Sequence, residues 1–377
     1  MKKIAIIGGG ISGLYFANLL QKNKNYQYKV FEKNSYFELN DGYGIQLSVN
    51  SVKLLNEIGF SNIEANEIYL PKKVNFYDAG SSKKICDIDI SKFNYENNSY
   101  TTLKRSTLIK FLLNSIPEKN IFHNCQLTNI NYKEKITLSF SNNHDEQFDY
   151  LLLSDGVFSK SKSIIFQKEI SPKYFNSVAL RGSLKNIESS DISLYLGSNF
   201  HFVLYPVNRN KEFNFISIIR KNLKKEQVND KHYFESDEFL HSLINEISSK
   251  TLFNLKNKIE NIKSFPIFIS DKFKRPEEKN IFIVGDALYA FPPSFAQGAS
   301  QSIEASKEVY EEIENDTSNY YHKRYERIKS VNSRSIINNI VFHLSNPITI
   351  IIRNTILKYL SKNKKFLENY LGKIYKN

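Results

Sequence analysis

Six residues near the start, Gly8-Gly9-Gly10-Ile11-Ser12-Gly13, constrain this chain more than any other feature. They fit the pattern G-x-G-x-x-G, and their surroundings give that pattern its meaning. An apolar run at residues 3–7 reads as a strand, and Leu14, Ala17, Leu19 and Leu20 follow at helical spacing. In such a strand–turn–helix unit the first glycine permits the tight turn. The second lets the backbone approach a pyrophosphate, and the third lets helix and strand pack closely. The phosphates then lie at the positive helix N-terminus. A second strand, residues 28–31, ends at Glu32, 24 residues after Gly8. A carboxylate at that distance binds ribose hydroxyls and favours an unphosphorylated ribose, as in FAD or NAD.

Two later apolar strands also end in an Asp/Gly pair, at Asp155-Gly156 and Gly285-Asp286. A strand stopping there presents a carboxylate and bare backbone to a ligand at the carboxyl edge of a sheet. Residues 51–58 and 106–116 have helical spacing, and residues 121–153 read as several strands. Residues 174–219 alternate with turn signals, as an exposed antiparallel sheet would. Residues 237–247 and 300–314 read as helices, and the remainder is helix-rich and broken at Pro347. Dinucleotide-type segments thus flank a β-rich middle, which predicts one discontinuous α/β domain holding an inserted second one.

With these segments in hand, the chain resembles the single-component (class A) FAD-dependent aromatic hydroxylases, in particular the salicylate hydroxylase-like branch. The glycine fingerprint, Asp155-Gly156 and Gly285-Asp286 match that family's motifs. Residues 42–60 look like the stretch beside the flavin, and residues 103–108 like the segment whose arginine, here Arg105, contacts FAD. Residues 179–182 and 201–206 are similar to the sheet segments of the substrate domain. Residues 292–299 resemble the loop over the isoalloxazine, and residues 325–357 the Arg-rich helix and the F-H-L-x-x-P segment after it.

The resemblance implies a Rossmann-like FAD-binding domain from residues 1–70, 99–172 and 268–335. It implies an inserted β-sheet substrate domain from 71–98 and 173–267, and C-terminal helices over 336–377. FAD would be held by Gly8, Gly10, Ile11, Ser12, Gly13, Glu32, Lys33, Gln46, Arg105, Asp155, Asp286, Gly298 and Ala299. With no second glycine fingerprint present, NADH or NADPH would bind transiently as co-substrate. O₂ would be activated as a flavin C4a-hydroperoxide that hydroxylates a small aromatic or cyclic, electron-rich substrate.

The chain departs from the family at four motif positions. Tyr289 stands where a His is usual, Ser300 for an Asn, Ala305 for an Asp and Lys162 for an Arg. Deprotonation of a phenolic substrate then falls to His201, Tyr205 or Tyr289. His201 and Tyr205 are four apart on a predicted strand and so share one face. An imidazole titrates near neutral pH, whereas a phenol does so near pH 10, which favours His201 as the base.

Cys86 and Cys125 are the only cysteines. Two in 377 residues give no disulfide framework and no metal cage, and point to a reducing, cytoplasmic setting. The first residues are too short an apolar run for a signal peptide, and no stretch is long enough to span a membrane. The formal net charge of +13 is concentrated at one end, where residues 320–377 hold twelve Lys or Arg against two Glu. No aromatic-interleaved basic platform accompanies it, so nucleic acid is not expected and a solvated basic face is. The same tail carries Ile348, Ile350, Ile351, Ile352, Ile356, Leu357 and Leu360. That leaves open a peripheral-membrane flavoenzyme of quinone or isoprenoid metabolism, and the replaced motif residues leave open a degenerate FAD-binding module. Oligomeric state is not legible.

Overall fold

The computed structural model describes residues 1–37, 39, 43–185, 187, 189–253 and 258–376. Gly42, in the stretch matched to the flavin side, lies outside the described residues. So do residues 186, 188 and 254–257 of the expected substrate domain, and Asn377 of the tail.

A five-stranded sheet runs in the order Ile281–Ile283, Tyr150–Leu153, Lys2–Ile7, Tyr26–Phe31, Ile121–Phe122. Every pairing in it is parallel. Parallel strands are covered on both faces, and Ile4, Ala5 and Ile6 are accordingly fully buried. On one face lies the helix Ile11–Gln21, apolar nearly all round because the helix Gly298–Asn315 covers its outer side. Ser306 Oγ, on that second helix, donates to the Ser12 carbonyl at 3.0 Å. On the other face sits a three-stranded antiparallel sheet (Leu127–Tyr132, Ile136–Phe140, Asp145–Phe148), where Phe140 stacks on Phe31 with centroids 4.3 Å apart.

A second, seven-stranded sheet is assembled from two stretches of sequence. Its order is Ile259–Ile269, Lys173–Lys185, Glu212–Arg220, Phe200–Pro206, Ile192–Gly197, Lys73–Asp78, Lys84–Asp89. Only the Ile192–Gly197 and Lys73–Asp78 pairing is parallel. Strand alternation sorts its side chains. Phe200, Phe202 and Leu204 pack with Phe239, Leu243 and Ile247 of the helix Asp237–Ser248. His201, Val203 and Tyr205 face the opposite way. The expectation of an exposed sheet is corrected here: both faces are covered, one by that helix and the other by the C-terminal helices.

A small sheet (Gly44–Leu47, Thr101–Lys104, Ile68–Tyr69) joins the two large ones. Gly44 N donates to Asn214 Oδ1 at 2.7 Å, and a Cβ on Gly44 would lie 2.6 Å from Asn214 Cβ. Only glycine allows that approach. The tail helices Tyr320–Phe342 and Pro347–Leu360 then roof the second sheet. Pro347 opens its helix, and Asn346 Oδ1 accepts from Ile348 N at 2.9 Å as the cap. Arg324 is 2% exposed and donates through Nε to Glu308 at 2.8 Å, while Arg327 Nε donates to Glu304 at 3.0 Å. Arg324 and Arg327 thus bolt the tail onto the helix Gly298–Asn315.

Candidate cofactor and substrate site

The glycine turn is built to be bare. Gly8 has φ +101°, and a Cβ there would lie 2.6 Å from the Ser154 carbonyl oxygen. Gly13 lies so close to the turn that a Cβ would sit 2.1 Å from Gly8 O. Gly10, by contrast, has nothing within 4 Å of its missing side chain, and neither have Gly156 and Gly298. These three glycines border open space at the carboxyl edge of the parallel sheet, the place where phosphates meet the start of the helix Ile11–Gln21. Ile11 and Ser12 open that helix, whose first turn carries no acid and no side-chain cap.

Glu32 closes the turn from the side. Its Oε2 accepts from Gly9 N at 2.9 Å and its Oε1 from Asn34 N at 3.0 Å. The carboxylate is therefore fixed beside the turn, and Lys33 next to it is exposed. Arg105 begins the helix Arg105–Leu113, with its amide donating to Tyr43 O at 2.7 Å. Its guanidinium is half-buried.

The two acidic strand ends differ. Asp155 is used internally, accepting from Ser159 Oγ at 2.6 Å and Ser161 N at 3.2 Å. It organises the loop after its strand. Asp286 has no hydrogen-bond partner among the described residues and opens into a large cavity. It is open to that cavity and enclosed by protein elsewhere, which raises its carboxyl pKa through desolvation.

That cavity, about 760 Å³, lies between the two sheets and under the tail helices. Gly44 to Gln46, Asp286 and residues 291–299 line its inner end, with Gly298 and Ala299 at the start of their helix. Next comes a polar cluster. Tyr100 Oη donates to Gln46 Oε1 at 2.7 Å, and the Tyr205 hydroxyl engages Gln46 and Asn214 near the Arg181 charge. Burial nonetheless dominates and pushes the Tyr205 phenol well up. Beyond this the walls are aliphatic and aromatic. The residues suit FAD: bare backbone for the pyrophosphate, Glu32 for the ribose, and an unpartnered carboxylate for a hydroxylated chain.

Two candidate bases do not fit. His201 lines the cavity roughly 13 Å along the strand from Tyr205. Its Nδ1 lies 2.7 Å from His343 Nε2, on the tail. Burial, with His343 alongside, holds the His201 pKa well below 6.5; burial, with Arg220 alongside, lowers His343 to about 3. At neutral pH both imidazoles are neutral and weakly basic, so the pair is a packed polar contact rather than a proton acceptor. Tyr289 does not line the cavity. It borders a small recess behind Asp286 and packs on Phe291 with centroids 5.2 Å apart. Burial raises its pKa further.

Sequence reasoning missed Tyr100 and Asn214, which meet the site only through tertiary packing, and gave no role to His343 of the F-H-L-x-x-P segment. Arg181 stood in a quoted segment without a role, although alternation along its strand was a usable signal. The departures also have structural answers. Lys162 Nζ donates to Ala287 O at 2.8 Å, and Ser300 Oγ accepts from Ser48 N at 3.1 Å.

A family model described as an NAD(P)-binding Rossmann-like domain matches residues 6–37. The 6-hydroxynicotinate 3-monooxygenase of Pseudomonas fluorescens is 21% identical over 312 residues, covering 80% of this chain and 80% of that protein. The salicylate hydroxylase of Pseudomonas putida is 21% identical over 343 residues, covering 80% and 74%. Among solved structures, a variant of Klebsiella pneumoniae HpxO complexed with FAD gives a TM-score of 0.81 at 16% identity, covering 95% of each chain. The chain has the fold of these flavoprotein hydroxylases, Rossmann-like domain and helical C-terminus included, as the sequence resemblance implied.

Proposed function

We propose that this chain is an FAD-dependent monooxygenase that uses NADH or NADPH and O₂ to hydroxylate an aromatic or cyclic, electron-rich molecule. One observation carries the reading. Asp286, a carboxylate with no hydrogen-bond partner among the described residues, stands at a parallel strand end between the glycine turn and the cavity. FAD bound there would take a hydride from the nicotinamide and activate O₂, one oxygen atom passing to substrate and the other to water.

The chain's own residues divide the work. Gly8 to Gly13, Glu32, Lys33 and Arg105 hold the nucleotide end. Asp155 orders the phosphate-side loop, and Asp286, Gly298 and Ala299 hold the flavin end. Gln46 stands at the boundary with substrate. Tyr205, positioned by Gln46 and Asn214 and kept protonated by burial, donates to the substrate's ring oxygen, and Arg181, which also lines the cavity, favours the deprotonated form of that substrate oxygen. The apolar walls exclude water from the reacting centre. We assign residues 71–98 and 173–267 to the substrate unit, although the strand Ile259–Ile269 runs across that boundary. At two of the four altered motif positions Lys162 and Ser300 make hydrogen bonds within the fold, which counts against a degenerate module.

The test is NAD(P)H oxidation in air with a panel of phenols and N-heterocyclic enols, using ¹⁸O₂. Incorporation of one labelled oxygen into product supports the assignment. Oxidation that yields only hydrogen peroxide with every compound, or label entering from water, would overturn it.

A further inference from the structure

The outer surface of the tail is unlike the rest of the molecule. Ile337, Ile340, Ile348, Ile351, Ile352 and Ile356 are each at least half exposed, and Tyr359 is 69% exposed. Ile348, Ile351, Ile352, Ile356 and Tyr359 recur at three- and four-residue spacing on the helix Pro347–Leu360 and so share one face. Ile337 of the helix Tyr320–Phe342 borders the same cavity as Ile352 and Ile356, which makes this a concentrated apolar surface and not scattered single residues. Between residues 327 and 367 there are eight Lys or Arg and no Asp or Glu. Lys358, Lys362, Lys364 and Lys365 are exposed beside the apolar face. Three of the exposed isoleucines, Ile337, Ile352 and Ile356, also line the large cavity, so its outer end opens on this face.

We infer that this face docks on an anionic lipid bilayer, with the isoleucines and Tyr359 entering the headgroup boundary and the lysines resting on the phosphates. No helix among the described residues is long and apolar enough to cross a membrane, so the contact is with the surface. The charge pattern selects lipid over a second copy of the chain. Two such faces would bring the exposed Lys358, Lys362, Lys364 and Lys365 of each copy together, whereas anionic headgroups neutralise them. The cavity then opens toward lipid rather than water. This inference does not depend on the reaction proposed above, because it rests on surface residues alone.

The experiment is co-sedimentation of the full-length holoprotein with vesicles of phosphatidylcholine, alone or mixed with phosphatidylglycerol, at low and high salt. Ile348→Asp/Ile351→Asp is the variant, since both side chains are exposed and neither lines the cavity. FAD content and far-UV circular dichroism, measured in parallel, report folding and the cofactor reading separately. Wild type should pellet with the mixed vesicles, less so at high salt. The variant should bind at least about tenfold more weakly with FAD retained. Wild type remaining in the supernatant with anionic vesicles at low salt would overturn the inference. So would a lipid-free dimer in sedimentation velocity that the same variant dissociates, since the face would then belong to a second copy.

Discussion

The ammonium of Lys162 donates to the carbonyl oxygen of Ala287 at 2.8 Å, tying the loop after Asp155 to the turn that carries Asp286. Lys162 is 7% exposed, and burial lowers its pKa. The two acidic strand ends are therefore one unit, although they lie 131 residues apart in sequence.

Lys162→Met should leave the Ala287 carbonyl unpaired at a cost of about 1–3 kcal/mol. FAD affinity should fall with it, because Asp286 loses its anchor. Fluorescence titration and thermal melts read both effects. Unchanged values in both would mean that the contact positions nothing.

Asp286→Ala should weaken FAD binding by roughly ten- to a hundredfold, the loss of a charge-assisted hydrogen bond. Asp155→Ala should act mainly on stability, because its carboxylate serves Ser159 and Ser161 within the protein. A larger loss of flavin affinity in Asp155→Ala than in Asp286→Ala would reverse the two roles.

The His201–His343 pair predicts acid lability with a definite sign. The folded pKa of each lies below 6.5, that of His343 at about 3, so the unfolded chain takes up protons first as pH falls. Stability from this pair is complete above pH ~6.5 and declines toward pH 3. The raised carboxyls of Asp286 and Glu308 work in the opposite direction. In His201→Gln/His343→Gln the fall of Tm between pH 6.5 and 4.5 should be shallower, by about 1–2 °C for each kcal/mol of linkage removed. Parallel curves would show that the pair protonates without penalty.

Tyr205→Phe should keep FAD bound and reduce product formed per NAD(P)H, with peroxide rising by about two- to tenfold, the range of one hydrogen bond. Product-to-peroxide stoichiometry measures it. His201→Ala, by contrast, should leave the pH profile of coupling in place; a shifted profile would restore the imidazole as a proton acceptor.

The cofactor side was legible because its elements are local. The glycine turn, Glu32 and the two strand ends each declare themselves within a few residues, and the structure brings them to one sheet edge. The substrate side was not. Tyr205 and Arg181 are placed by alternation along strands, but the Tyr205 partners Asn214 and Gln46 come from other strands. His201 read as a base because sequence shows its neighbours along the strand and neither its burial nor His343, which arrives from 142 residues away; together these set its chemistry. Tyr289 inherited a role from its motif position, yet the turn after Leu288 places it behind Asp286 rather than in the cavity.

The most direct test of the account is the flavin content of the purified protein. Denaturation of the holoprotein, or of protein reconstituted with FAD and desalted, should release non-covalent FAD at close to one per chain. Release of NAD alone, or protein that retains no FAD after reconstitution, would contradict it.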